Sequence, residues 1–325
     1  MMETIKDKSV LVTGGAGFIG SHLVDELIKQ GTKKVVVVDN FFLGKIENLK
    51  DALNSGSHVV IYRENAGDYF AMAAILREEN IDVVFNLATK ALIYSFFNPI
   101  GAYMENVEIA RALVELQREG YFQTLIHCSS SEVYGSAQYV PMDENHPFNP
   151  TTPYSAGKAA ADLMILSIYN TLKLDVSIIR PFNNYGPRQN DGKLAGIIPL
   201  TIKRILNNEK PIIEGTGEQT RDFIFVGDTV KNLIAGYCYP VSRGKVLNIG
   251  SGIQVPVIKI VRAICDYFNY KGDFTYLPRR KADVQTHCAA IGKAQEFIGF
   301  KESITFEEGI KLTCDWYKQQ RKLFE

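Results

Sequence analysis

The stretch SVLVTGGAGFIGSHLVDELIKQG, residues 9–31, constrains the fold most: an unbroken apolar run, a glycine turn, then a helical pattern. A strand without polar alternation is buried on both faces, which is the situation of a parallel sheet. The same texture returns in KKVVVVDN, HVVIYREN, DVVFNLAT, TLIHCSS and DVSIIRPFN. Between these runs lie the helical patterns DYFAMAAILREE, MENVEIARALVELQREG and AGKAAADLMILSIYNTLK. Strand–helix alternation at this spacing predicts an α/β fold with a doubly wound parallel sheet. After Arg180 the texture changes. Turn signals cluster at Pro181, Gly186, Pro187 and Asp191-Gly192, which predicts a smaller, irregular C-terminal domain over 180–325 beside a sheet domain over 1–179.

Composition narrows the function classes. Lys+Arg and Asp+Glu are both 36, so there is no basic surplus for nucleic acid or an anionic membrane. The five cysteines (Cys128, Cys238, Cys265, Cys288 and Cys314) are odd in number, far apart and without a CxxC pair. They read as reduced thiols of a cytoplasmic protein. The five histidines form no HExxH and no metal-ligand cluster, so no metal is expected. The start, MMETIKDKSVLV, is too short and charged for a signal peptide, and no apolar run is long enough to span a bilayer.

Gly14, Gly17 and Gly20 stand at three-residue intervals between the first strand and its helix. Small residues there let the backbone approach a pyrophosphate, and the helix N-terminus supplies free N–H groups. Asp39 ends the second strand, where a carboxylate binds the adenosine ribose hydroxyls and repels a 2′-phosphate. The expected cofactor is therefore NAD. Lys45 is the one nearby base that argues for a phosphate instead. Tyr154 and Lys158, in PYSAGKAAADL, lie four apart on one helix face. An ammonium beside a phenol favours the phenolate. Such a tyrosine accepts a proton from an alcohol while hydride leaves for NAD.

The segments TGGAGFIGSHL, SSSEVYG, PYSAGK, RPFNNYGPRQ and GEQTRDFIFVGD together resemble the extended short-chain dehydrogenase/reductases that act on nucleotide-diphosphate sugars. The resemblance runs from about Ser9 to Phe300. It implies a Rossmann NAD domain, to which segments about 222–250 return, and a C-terminal nucleotide-sugar domain. It implies a catalytic Ser130, Tyr154 and Lys158, with cofactor contacts from Gly14, Ala16, Gly17, Phe18, Ile19, Gly20, Asp39, Asn40, Asn65, Ala66, Leu87, Ala88 and Lys90. It also implies substrate contacts from Lys90, Tyr94, Asn183, Arg188, Arg221 and Arg280. Arginine suits a pyrophosphate because its planar fork pairs bidentately with phosphate oxygens. Arg188 has a structural ion pair as its alternative, and Lys90 a solvent-seeking side chain.

Glu132 decides which reaction is expected. Members of the family share oxidation of the sugar at C4. In 4-epimerases the residues after the serines are typically apolar; in 4,6-dehydratases an acidic residue stands there. A C4 ketone acidifies the C5 proton, a carboxylate removes it, and the C6 hydroxyl leaves as water. The pair Ser131-Glu132 resembles the pattern in which a hydroxyl residue precedes the glutamate, so Ser131 joins the expected site and Glu132 is expected as base and acid. Together with NLATKALIYSF, the loop most resembles the GDP-N-acetylglucosamine 4,6-dehydratases of legionaminic acid synthesis. A UDP-sugar 4-epimerase and a UDP-glucuronate decarboxylase are the enzymatic alternatives. A non-catalytic NAD-binding regulator is the alternative outside enzymes. A homodimer or homotetramer is expected, through the helices near 100–118 and 156–172.

Overall fold

The computed structural model describes residues 2–279 and 284–322. The apolar runs pair as strands β1 (Ser9–Thr13), β2 (Lys34–Val38), β3 (Val59–Tyr62), β4 (Val83–Asn86), β5 (Thr124–Cys128) and β6 (Asp175–Pro181). A seventh, β11 (Val246–Ile249), joins beyond β6, giving a parallel sheet in the order β11-β6-β5-β4-β1-β2-β3. Registers are regular, for example Leu11 opposite Val36 and Val84. Chain order reverses between β1 and β4, which opens a crevice at the carboxyl ends of those strands. β6 runs two residues past the boundary expected at 179, because Pro181 closes a strand and does not open a loop.

Helices cover both faces. On one lie α1 (Phe18–Lys29), α7 (Val226–Cys238) and α9 (Gly292–Ile298), packing Leu23, Leu27, Val230, Leu233 and Ile298 onto the sheet. On the other lie α3 (Tyr69–Glu79), α4 (Pro99–Arg118) and α5 (Pro153–Leu172), with Met72, Leu76, Leu113, Ala161 and Ile165. The short α2 (Lys50–Asn54) follows β2. Caps set where the helices begin. Asn98 and Thr152 accept the N–H of Gly101 and Ser155, and Pro99 and Pro153 occupy first helical positions. α4 therefore starts five residues before the MENVEIA pattern. The two helices approach closely where Gly157 faces Tyr103; a Cβ there would stand 2.6 Å from the Tyr103 carbonyl oxygen. Ile100 and Leu163 are exposed on these helices, at 71% and 56%.

The C-terminal unit contains small strand pairs: β7 (Asn183–Tyr185) with β10 (Phe223–Phe225), β9 (Thr220–Arg221) with β12 (Val255–Pro256), and β8 (Ile212–Glu214) with β13 (Thr275–Leu277). Helices α6 (Ile197–Leu206), α8 (Val257–Tyr267) and α10 (Phe306–Lys322) enclose a core around Ile202, Ile213, Ile260 and Ile264. No helix among the described residues is long and apolar enough to cross a membrane.

Candidate active site

Two adjoining cavities meet along the segment 184–196, where Asn184, Gln189, Leu194 and Gly196 border both. The first lies at the sheet crevice. Gly14 follows β1 with φ +68 and donates its N–H to Val38 at 2.8 Å. Added side chains have no room: a Cβ on Gly14 would meet the Ala88 backbone at 2.9 Å, and one on Gly20 the Gly14 oxygen at 2.1 Å. The Asp39 carboxylate accepts the N–H of Ala16 at 3.0 Å and of Phe41 at 2.8 Å, which ties the end of β2 to the glycine turn. Burial pushes its pKa up, and those two N–H groups and Lys90 pull it down. Gly14, Gly17, Phe18, Ile19, Gly20, Asp39, Asn40, Asn65, Ala66, Leu87, Ala88 and Lys90 all border this cavity, whereas Ala16 is buried beneath it. A backbone cradle without Cβ atoms, a helix N-terminus and a carboxylate at the next strand end fit a dinucleotide. Lys45 borders the cavity but pairs with Asp191 at 3.3 Å.

Tyr154 opens α5 at the floor of the first cavity, and Lys158 follows one turn on. The Tyr154 backbone N–H is held by Ser95 Oγ at 3.0 Å. Its buried phenol has a pKa raised by loss of solvent, opposed by hydrogen bonds with Ser130 and Thr89. Lys158 Nζ donates to the Cys128 carbonyl at 3.0 Å. Burial lowers its pKa, while Cys128 and Asp162 raise it. The expected direct effect of Lys158 on the phenol is thus not the leading one: desolvation dominates both groups, and the lysine is anchored to the end of β5.

The serine segment forms a 3₁₀ turn, Ser131–Tyr134, with Ser130 as its cap accepting the Glu132 N–H at 3.2 Å. Ser130 borders the first cavity and Glu132 the second. Ser131, expected in the site, is 2% exposed and borders neither cavity, because neighbours in a tight turn point to different sides. Beneath the turn runs a buried polar network. Asp162, one helical turn past Lys158, accepts from Ser129 Oγ and from Arg180, each at 2.6 Å. Arg180 also bonds the Tyr134 hydroxyl. Asn86 joins Thr13 at 2.8 Å to His127 at 3.0 Å, tying β1, β4 and β5 together.

Asn183 and Arg221 border the second cavity with Glu132. Three expected substrate contacts lie elsewhere. Arg188 borders the first cavity and is locked to Asp25 at 2.7 Å and Asp51 at 3.0 Å, its ion-pair alternative. Lys90 borders the first cavity, 3.5 Å from Glu105 and 3.9 Å from the centre of the Phe42 ring. Tyr94 borders neither; its ring packs on Phe42 and its hydroxyl accepts from Asn98 at 3.1 Å. Arg280 lies outside the described residues. Motif reading named neither Thr89, which borders the first cavity, nor Asp162 and Arg180, which are buried beneath the serine turn, as site residues. Asp162 had a signal: it lies four residues after Lys158, on the same helix face.

This sheet, glycine cradle and Ser–Tyr–Lys constellation define an extended short-chain dehydrogenase/reductase with a second site beside its dinucleotide cleft. A sequence model described as GDP-mannose 4,6 dehydratase matches residues 11–313, and the chain belongs to that family. It is 33% identical over 316 residues to a putative UDP-glucose 4-epimerase of Methanocaldococcus jannaschii, covering 96% of this chain and 99% of that protein. It is 30% identical over 332 residues to the dTDP-glucose 4,6-dehydratase of Xanthomonas campestris pv. campestris (strain B100), covering 94% and 92%. Among solved structures, UDP-glucose 4-epimerase from Thermotoga maritima with UDP-glucose superposes with a TM-score of 0.90 at 31% identity, covering 98% and 100%. The dTDP-glucose 4,6-dehydratase of Streptomyces venezuelae, solved with NAD, gives 0.90 at 26% identity, covering 97% and 98%.

Proposed function

We propose that the chain is an NAD-dependent nucleotide-sugar 4,6-dehydratase whose substrate is GDP-N-acetylglucosamine. One observation carries this reading: a carboxylate, Glu132, borders the second cavity from the same turn whose cap, Ser130, contacts Tyr154 in the first. The glycine turn and Asp39 at the first cavity fit NAD, which when bound would supply a hydride acceptor for C4 and a donor for C6, with none consumed. Tyr154, held by Ser130 and Thr89, takes the proton of the C4 hydroxyl. The ketone acidifies C5–H; Glu132 removes that proton and delivers it to the C6 hydroxyl, which leaves as water, and C5 takes a proton from solvent as hydride reaches C6. Arg221 and Asn183 face the pyrophosphate, and the product is a 4-keto-6-deoxy sugar nucleotide. A hydroxyl residue before the glutamate and the GDP-mannose 4,6 dehydratase family membership support a guanosine substrate. The exposed Ile100 and Leu163 support a homodimer or homotetramer built on α4 and α5.

A 4-epimerase is the second reading, favoured by the identity to the M. jannaschii protein. A panel of GDP-, UDP-, dTDP- and CDP-sugars read by mass spectrometry separates the readings. Loss of one water marks a dehydratase, unchanged mass an epimerase, loss of carbon dioxide a decarboxylase. Glu132→Gln keeps Tyr154, Lys158 and Ser130. It should still give NADH absorbance with substrate, while water loss falls by roughly 10²–10⁴-fold, the range for a lost general base. Tyr154→Phe should suppress the NADH signal itself. Water loss at the wild-type rate in Glu132→Gln would remove Glu132 as the base.

A further inference from the structure

On the reading that the second cavity holds the sugar nucleotide and Glu132 is the base, we infer that His287 is a positioning residue: it sets where the turn carrying Glu132 stands relative to the strand carrying Arg221. Glu132 and Arg221 both border that cavity but come from different parts of the chain, one from the turn after β5 and the other from β9 of the C-terminal unit. A sugar held through its pyrophosphate at Arg221 meets a base at Glu132 only if the two elements keep a fixed spacing. A short chain of hydrogen bonds fixes it. Gly135 closes the turn by donating its N–H to the Glu132 carbonyl at 3.1 Å. The Gly135 carbonyl accepts from His287 Nε2 at 2.7 Å. His287 donates its own N–H to the Thr220 carbonyl at 3.3 Å, and Thr220 immediately precedes Arg221 on β9. One residue thus joins both walls, by its side chain to the turn and by its backbone to β9.

The surroundings of this bond leave little slack. Gly135 has φ +64, and a Cβ there would stand 2.0 Å from the Asn149 carbonyl oxygen, so the chain passes tightly at that point. Two longer links run beside the imidazole: Ala137 N–H to the Thr286 carbonyl and Gln285 N–H to Ser136 Oγ, both at 3.4 Å. The imidazole bond is the shortest of the three and lies nearest to Glu132 in the chain. A carbonyl only accepts, so Nε2 carries the hydrogen and Nδ1 is left as an acceptor. Nδ1 is buried without a partner among the described residues. Desolvation lowers the His287 pKa to about 4 against the Gly135 bond, and the charge of Arg221 adds to the lowering, so the ring is neutral near pH 7. An unpaired buried acceptor costs stability. A residue serving packing alone would be better apolar; what the imidazole supplies is a rigid donor of the right reach.

Rapid mixing of the NAD-loaded protein with GDP-N-acetylglucosamine, followed by NADH absorbance and by mass for water loss, reads the two steps separately. If the wild type dehydrates another sugar nucleotide of the panel instead, that one replaces it. Oxidation at C4 uses Tyr154, Lys158 and Ser130, the last at the far end of the turn from Gly135; water loss uses Glu132. His287→Leu keeps a buried side chain and removes the donor. It should slow water loss by up to about 100-fold, the cost of a reacting group misplaced by about 1 Å, while NADH still forms and accumulates. His287→Gln carries an amide N–H that can reach the Gly135 carbonyl and should bring water loss back near the wild-type rate. His287→Asn, one carbon shorter, should not. Equal loss of both steps in His287→Leu, or water loss at the wild-type rate, overturns the assignment, and so does a Gln variant no better than the Asn variant. If His287→Leu does not fold, the Gln and Asn pair decides; if none of the three folds and retains NAD, His287 is purely structural and the assignment falls. A wild type that dehydrates no sugar nucleotide removes the dehydratase reading and this assignment with it. Water loss abolished by Glu132→Gln but untouched by His287→Leu removes the positioning role alone.

Discussion

Replacing Asp162 by Asn removes one negative charge and almost no volume from the floor of the site. Asp162 and Arg180 are 0% and 1% exposed at their side chains, and their closest atoms are 2.6 Å apart. Desolvation works against the Arg180 charge, but Asp162 and the Tyr134 hydroxyl outweigh it and hold its pKa above the ordinary value. An arginine does not lose its proton when its partner goes. The variant therefore keeps a buried cation with a neutral amide as neighbour. Breaking a buried pair on one side destabilises by about 3–5 kcal/mol, a large part of the 5–15 kcal/mol that typically holds a domain together. Urea unfolding of wild type and variant, each saturated with NAD, measures the difference. The double variant Asp162→Leu/Arg180→Met removes both charges and should recover most of the loss. Activity supplies an independent readout. Asp162 is one of the groups that raise the Lys158 pKa against burial. Without it that pKa falls, and the protonated lysine is lost at lower pH. The alkaline limb of the kcat profile should move to lower pH in Asp162→Asn. A stability loss below about 1 kcal/mol with an unmoved alkaline limb would refute the reasoning.

Gly20→Ala should purify without NAD, read from the absorbance of the heat-released nucleotide, because its Cβ would lie 2.1 Å from the Gly14 carbonyl. His22, buried with Nε2 on the Pro187 carbonyl at 2.9 Å, has its pKa lowered to about 4 by desolvation. The unfolded chain then takes the proton first, so this group subtracts stability as pH falls from 6.5 toward 4, by about 1.4 kcal/mol per unit. His22→Asn should flatten the acid side of the urea-unfolding profile by that slope. Leu163→Arg should convert the proposed oligomer to monomer by light scattering, with NAD content unchanged; a wild type that is already monomeric at micromolar concentration removes the oligomer.

The sheet was legible because its information is local. Each strand is an apolar run, and each of α3, α4 and α5 has a capping residue one position before it. The cofactor cleft was legible for the same reason, since glycines and an aspartate at strand ends have fixed places in such a sheet. What was not legible depends on residues far apart in the chain. Arg188 meets Asp25 across 163 positions, and no spacing rule joins them. Lys90 lies in an irregular segment between β4 and α4; its side is decided by Phe42, from the loop after β2, and Glu105, from α4. Ser131 and Glu132 are neighbours whose roles separate only once the 3₁₀ turn points one inward and the other into a cavity.

The same contrast accounts for the mixture of epimerases and dehydratases among the relatives. In the proposed function the first step, oxidation at C4, uses the glycine cradle, Tyr154, Lys158 and Ser130, and those are supported from many places: Ser95, Thr89, Cys128, Asp162 and Arg180 all bear on them. Keeping that machinery in place uses much of the chain, so overall identity reports mainly on it. On the same proposal, the step that divides the reactions needs a proton acceptor near C5, which is one side chain. Glu132 sits on a short turn capped by Ser130, beside the Ser129–Asp162 bond, so its backbone is held by the same Ser130 that bonds Tyr154. If Glu132 is the base, as proposed, a change at this position would alter the outcome of the reaction with little demand on the rest of the fold. Proteins that are 30% and 33% identical to this chain can therefore carry different activities on one scaffold. Assignment within the family follows the atoms at the junction of the two cavities more closely than it follows overall similarity.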